Sequence, residues 1–163
     1  MVDLTELQNF LNKAAMEGYA SNKGFTLKNG IKEMVFEDRL WTYSDAYSGY
    51  FRSAGSELVR HNNQPVWTNT YGGGMMEGFA DAVFAHETFS FLKQALSSRG
   101  EEFQPRGPIE FEDGLFRYEQ RTVGDISNFH GYEHIFYRGR LTGSPERIPV
   151  FEHRFFGGLI ISK

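Results

Sequence analysis

Apolar side chains at the start of the chain recur at helical spacing. Leu4, Leu7, Leu11, Ala14 and Ala15, with Phe10 beside them, fall on one stripe of a first helix. Asp3, followed three residues on by Glu6, forms a capping box at its start, and Gly18 is the expected stop. Ser21-Asn22-Lys23-Gly24 and Lys28-Asn29-Gly30 read as turns. From Ile31 to Tyr71 the pattern becomes that of antiparallel strands: Met34 to Phe36, Leu40 to Tyr43, Tyr47 to Arg52, Glu57 to Arg60, then a hairpin at His61-Asn62-Asn63-Gln64 leading into Pro65 to Tyr71. With Asn62-Asn63 as a two-residue turn, Val59 opposes Val66 and Glu57 opposes Thr68. Alternation then puts Glu57, Val59, Val66 and Thr68 on one face and Leu58, Trp67 and Tyr71 on the other. Gly72-Gly73-Gly74 breaks the first half. A second helix is expected within Asp81 to Ser98, turning Phe84, Phe91, Leu92, Ala95 and Leu96 inward and capped by Gly100. Pro105-Arg106-Gly107-Pro108 reads as a stiff connector, and a second strand set runs from Ile109 to Ile161.

The pattern is written twice. Phe36-Glu37-Asp38-Arg39-Leu40-Trp41-Thr42-Tyr43 returns 75 residues later as Phe111-Glu112-Asp113-Gly114-Leu115-Phe116-Arg117-Tyr118, identical at five of eight positions. Gly55-Ser56-Glu57-Leu58-Val59 is answered by Gly131-Tyr132-Glu133-His134-Ile135, and Pro65-Val66-Trp67 by Pro149-Val150-Phe151. Tyr71-Gly72-Gly73-Gly74 is answered by Phe155-Phe156-Gly157-Gly158, and Phe10 to Ala15 by Phe91 to Leu96. Extra residues in the second copy fall near Leu141 to Arg147. These echoes predict an α+β fold: a single compact domain over 1–163, internally duplicated, each repeat (about 1–78 and 79–163) a helix plus antiparallel strands, the halves related by a pseudo-twofold. The two sheets either pack side by side or merge into one.

Composition narrows the function. Aromatic residues make up 16% of the chain and glycines number 18, a mix that suits sheet and tight turns. A net charge of −4 with no basic run argues against nucleic-acid binding. With no cysteine, disulfides, thiolate metal sites and a cysteine nucleophile are excluded. No apolar run reaches the roughly 18 residues of a membrane span, and no signal peptide is read at the N-terminus, so a cytoplasmic protein off the membrane is expected.

Several motifs taken together resemble a bacterial family of unknown function. Phe91 to Leu96, Arg106-Gly107-Pro108, Tyr118, Gly124-Asp125, Phe129-His130-Gly131-Tyr132-Glu133-His134-Ile135 and Phe156-Gly157-Gly158 carry the likeness, with Pro65-Val66-Trp67 and Gly55-x-Glu57 as its first-half signature. Members of that family stand alone or are appended to helix-turn-helix regulators. The resemblance implies the stand-alone form, since no helix-turn-helix fits before residue 31, and a sensing role; it brings no activity with it.

For chemistry, the duplicated Glu57 and Glu133 lead. A carboxylate on a mostly apolar strand face has either a raised pKa or a buried partner, so the two read as an acid/base pair facing one pocket or as structural ion pairs. The five histidines show no metal-binding spacing. Extending the repeat register opposes Glu133 to Glu152 and His153 to Tyr132; shifting it opposes His134 to His153, and neither collects a ligand set. Tyr71 to Gly74 lacks the Gly-Lys-Ser/Thr ending of a phosphate loop and reads as strand bends. No Gly-x-Ser-x-Gly elbow is present. Gly124-Asp125 reads first as a turn. Trp41, Tyr43, Tyr50, Trp67, Tyr71, Phe116 and Tyr118 are core, or else the walls of a pocket for a flat or cationic ligand.

The leading expectation is a small-molecule binding or sensing domain without catalysis or cofactor. Its ligand, small and aromatic or cationic, would touch Glu57, Glu133, Trp41, Trp67, Tyr43 and Tyr118. The alternatives are a small hydrolase or isomerase using Glu57 and Glu133 as acid and base, and an interaction module that forms a homodimer or joins a partner through an edge strand.

Overall fold

The computed structural model describes residues 2–20, 26–100, 102–139 and 146–161. The turn expected at Ser21 to Gly24 and most of the loop near Leu141 lie outside these residues. Helix α1 covers Leu4–Ala20, and the Asp3 carboxylate caps it by accepting from the backbone N–H groups of Thr5 (2.8 Å) and Glu6 (3.1 Å). It runs through Gly18, contrary to the expected stop. A glycine costs a helix only about 1 kcal/mol relative to alanine, too little to end it alone.

Five strands follow: β1 (Thr26–Lys28), β2 (Ile31–Asp38), β3 (Trp41–Gly49), β4 (Arg52–His61) and β5 (Gln64–Met75). The β1–β2 and β4–β5 turns place Asn29, Gly30, Asn62 and Asn63 at positive φ, the tight hairpin geometry that asparagine and glycine permit. Gly72 to Gly74 do not break the first half; they lie inside β5, with Gly73 and Gly74 at φ of +144° and +142°. Helix α2 (Ala82–Ser97) is capped by Asp81, which accepts from Val83 and Phe84. Its end is made by Ser98 rather than Gly100. The Ser98 backbone N–H and hydroxyl both donate to the Ala95 carbonyl, so no left-handed glycine is needed. The remaining strands are β6 (Glu110–Asp113), β7 (Phe116–Asp125), β8 (Asn128–Tyr137) and β9 (Ile148–Leu159).

Among the described residues, nine strands form one antiparallel sheet in the order β1-β2-β3-β4-β5-β9-β8-β7-β6. The two strand sets therefore merge, and the seam is the long β5–β9 pair. Both helices cover the same face. Leu7, Phe10, Leu11 and Ala14 of α1 pack on Val59, Trp67, Tyr71 and Phe129; Phe84, Phe91, Leu92 and Ala95 of α2 pack on Tyr118, Ile135, Val150 and Phe151. The other face carries exposed Tyr132 and Phe156. Among the described residues no helix is long and apolar enough to cross a membrane.

One local feature changes the register. In β4–β5, Arg60 pairs with Pro65 but Val59 pairs with Trp67, so Val66 is an extra residue on β5. The same happens in β8–β9, where Phe136 pairs with Pro149 but Ile135 with Phe151. Proline cannot donate to a ladder, and a bulge is where a sheet tolerates it. The slip moves each expected pairing by one. Glu57 opposes Asn69, not Thr68, and Val59 opposes Trp67, not Val66. Glu133 opposes His153, not Glu152; His134 faces Glu152; Tyr132 faces Arg154. Trp67 and Tyr71 consequently share the covered face with Glu57 and Val59, with Thr68 on the opposite one.

Candidate functional site

Between the two apolar clusters lies a buried polar cluster centred on Arg106. The segment read as a connector tucks this arginine under the helices, where it is 3% exposed. Its Nη1 donates to Glu57 Oε1 (2.9 Å) and its Nε to Glu133 Oε1 (3.1 Å), while the guanidinium lies 4.4 Å from the centre of the Tyr71 ring. The flanking residues hold the loop down. Asn69 Nδ2 donates to Pro105 O (3.4 Å) and to Glu57 Oε2 (3.3 Å), and the Gly107 N–H donates to the Tyr118 hydroxyl (3.0 Å). A side chain at Gly107 would meet the Tyr118 ring at 2.9 Å, so this close approach requires glycine. Tyr118 in turn donates to Glu133 Oε2 (2.7 Å). Tyr71 donates to Asp45 Oδ1 (2.7 Å), and His153 Nδ1 sits 3.0 Å from Glu133 Oε1.

One cation shared by two carboxylates leaves them unequal. Burial pushes Glu57 up to about 7, Arg106 pulling it down and Asp45 pushing it further up. Burial alone would also raise Glu133, but Arg106, the hydrogen bond from His153 and the Tyr118 hydroxyl outweigh it and hold Glu133 at about 2. Burial lowers His153 more than Glu133 raises it, and burial with Glu133 drives Tyr118 well above its usual value. An ionised Glu133 can only accept hydrogen bonds, so His153 carries its proton on Nδ1. Its Nε2 is then an acceptor, and it faces Ser53 Oγ at 3.2 Å.

Beside this cluster, between α2 and the sheet, opens a cavity of about 230 Å³. Tyr47, Tyr50, Phe89 and Phe151 contribute aromatic wall, Asp45, Ser53, Tyr71, Arg106 and His153 the polar floor, and Lys32, His86 and Lys93 stand around it. A wider, more open groove on the opposite sheet face is lined by His130, Tyr132, Arg154 and Phe156.

Of the six residues singled out from the sequence, the fold joins three. Glu57 and Glu133 converge on Arg106, and Tyr118 bonds Glu133, but none of the three borders the cavity. Trp67 is a core residue: its Nε1–H donates to Ile126 O (2.9 Å) and its ring stacks on Phe129. Tyr43 is buried in the α1 cluster. Trp41 stacks between Phe10 and His61 beside a separate groove. Among the described residues no group of three or more acidic or histidine side chains could hold a metal ion. Sequence reasoning missed Ser53, Asp45 and Asn69, read Arg106 as part of a connector and weighed His153 only as a metal ligand. For His153 and Asn69 the signal was present in Pro65 and Pro149, which mark the bulges that bring these residues opposite the glutamates.

The family model described as a domain of unknown function, DUF5680, matches residues 45–160, and the chain belongs to that family. No curated protein and no solved structure matches the chain.

Proposed function

We propose that this member of the DUF5680 family is a small-molecule binding domain, whose ligand lies in the cavity between α2 and the sheet. The observation that supports it is the pairing of aromatic walls (Tyr47, Tyr50, Phe89) with a floor of polar groups held by hydrogen bonds: Tyr71 to Asp45, Ser53 to His153, and His153 and Arg106 to the buried Glu133 behind them. A cavity of about 230 Å³ suits a compound smaller than most drugs, flat enough to lie against the rings, with a donor or positive charge toward Asp45. A sensing role in a cytoplasmic bacterial protein, and an association of relatives with helix-turn-helix regulators, belong to the same proposal.

The test is a thermal-shift screen with small aromatic and cationic metabolites. A compound that raises the melting temperature, and whose Kd is weakened at least tenfold by Tyr50→Ala, is the expected result. Tyr50 is 45% exposed, so its truncation spares the fold. A screen without any stabilising compound, or one whose hits ignore Tyr50→Ala, sinks the reading.

Glu57 and Glu133 as acid and base form a second, weaker reading: their pKa values separate to about 7 and about 2, but both carboxyls are buried and neither borders the cavity. A homodimer through an edge strand has less behind it: the edges are the three-residue β1 and the four-residue, acid-rich β6. We also infer that the halves arose by duplication. In support, the bulges fall at Val59/Arg60 and Ile135/Phe136, matched positions of the repeat, and Gly49 and Gly124, which stand at the same 75-residue offset as Phe36 and Phe111, have φ of +99° and +100°.

A further inference from the structure

Two cavity-side groups and a buried carboxylate form a chain of contacts that binding alone does not use. Ser53 Oγ lies 3.2 Å from His153 Nε2, and His153 Nδ1 lies 3.0 Å from Glu133 Oε1. Ser53 and His153 both line the cavity, and Glu133 is fully buried behind them. The strands explain how they meet. Ser53 on β4 and His153 on β9 are both register partners of Gly73 on the intervening β5. With no side chain at Gly73, the serine and the imidazole reach each other across the strand that separates them. On its other side Ser53 pairs with Gly49, again without a side chain, so neither directly opposed position crowds its hydroxyl. The proton inventory is ordered as well. Arg106, Tyr118 and His153 all donate to the Glu133 carboxylate, which fixes the imidazole with its proton on Nδ1 and its lone pair toward Ser53. A serine, a neutral histidine and an orienting carboxylate in this order are recognised by geometry, whatever their order in the chain.

We propose that Ser53 is a nucleophile for acyl transfer, with His153 as its general base and Glu133 as the residue that positions His153, acting on small aromatic esters held in the cavity. This rests on the cavity being a binding site and replaces binding alone with hydrolysis. Ser53 Oγ bonds to the ester carbonyl carbon as its proton passes to His153 Nε2. The bond from that carbon to the alcohol oxygen breaks, and the leaving oxygen takes the proton from Nε2. Water then attacks the acyl-serine and gives one proton to Nε2. That proton returns to Ser53 Oγ as the acid leaves, so that ester and water become acid and alcohol.

The experiment treats the full chain with a fluorophosphonate probe, maps the adduct by peptide mass spectrometry, and measures phenyl acetate and p-nitrophenyl acetate hydrolysis in wild type and Ser53→Ala. The proposal expects an adduct on Ser53 and at least a hundredfold loss of ester hydrolysis in Ser53→Ala. In ¹⁵N spectra, His153 should show a protonated Nδ1, and Glu133→Gln should mix the tautomers with the far-UV spectrum unchanged. A Ser53 adduct with that tautomer supports the relay. An adduct elsewhere, equal hydrolysis in Ser53→Ala, or a His153 protonated on Nε2 overturns it. No adduct in a protein that still binds aromatic compounds overturns the nucleophile and leaves the binding site standing; neither adduct nor binding overturns both.

Discussion

Arg106 donates to carboxylates from β4 and β8 while its guanidinium lies on the Tyr71 ring, so three strands are tied through one side chain. Removing it leaves Glu57 and Glu133 buried without a shared cation. Arg106→Met is expected to cost about 3–5 kcal/mol in urea unfolding at pH 7.5, the range for breaking a buried ion pair from one side. Adding Glu57→Gln and Glu133→Gln to that variant should recover much of the loss, because the uncompensated charges go with the carboxylates. A loss under about 1 kcal/mol would mean the arginine is not the tie. Repetition made Glu57 and Glu133 legible from the sequence, and Tyr118 with them. Arg106 was not, because a single arginine among two prolines and a glycine looks like a surface connector until the docking of its loop is known. Trp67 and Trp41 misled for the converse reason: an indole marks burial more readily than it marks which side of the sheet a cavity opens on.

The elements themselves were legible from periodicity: both helices with their inward stripes and the Asn29-Gly30 and Asn62-Asn63 turns fall where spacing put them, whereas the faces of β5 do not, since Trp67 and Tyr71 share the covered face with Glu57 and Val59. Strand registry was not, because a one-residue bulge changes what stands opposite every residue beyond it while disturbing the alternation at one place only, as at Val150-Phe151 in β9, where both side chains are buried. Pro65 and Pro149 are the only local sign of it, and reading them as bulge residues would have placed His153 against Glu133. Backbone conformation yields a prediction at this scale. Gly124 has φ +100°, and an added Cβ would stand 2.1 Å from Asn128 O, whereas Gly30 at φ +78° has open space around that position. Gly124→Ala should therefore cost about 2–3 kcal/mol in chemical denaturation and Gly30→Ala about 1 kcal/mol. Equal costs would show that the close backbone approach at Gly124 does not constrain the strand end.

At the scale of the whole molecule, a nine-stranded sheet joined at β5–β9 brings one glutamate from each strand set to a single arginine beneath the cavity. The sequence left open whether the sheets merge, since nothing local in β5 or β9 announces its partner. The arrangement has a consequence for stability against pH. Glu57 is raised from 4.5 to about 7, so between those values the folded chain holds more protons than the unfolded one, and the contribution of Glu57 falls as pH rises through the window. Glu133, lowered from 4.5 to about 2, acts the other way: its contribution is present above 4.5 and is lost as pH falls toward 2. His153, lowered from 6.5, likewise loses its contribution as pH falls below that value. Glu57→Gln isolates the first effect, and its stability relative to wild type should improve by about 3 kcal/mol between pH 4.5 and 7.5. The most direct test is a ¹³C titration of the two labelled carboxyl groups in the wild-type chain. Unequal sharing of Arg106 predicts that the Glu57 signal moves with a midpoint near pH 7 while Glu133 stays ionised down to below pH 3. Two carboxyls titrating together near 4.5, the ordinary glutamate value, would contradict it.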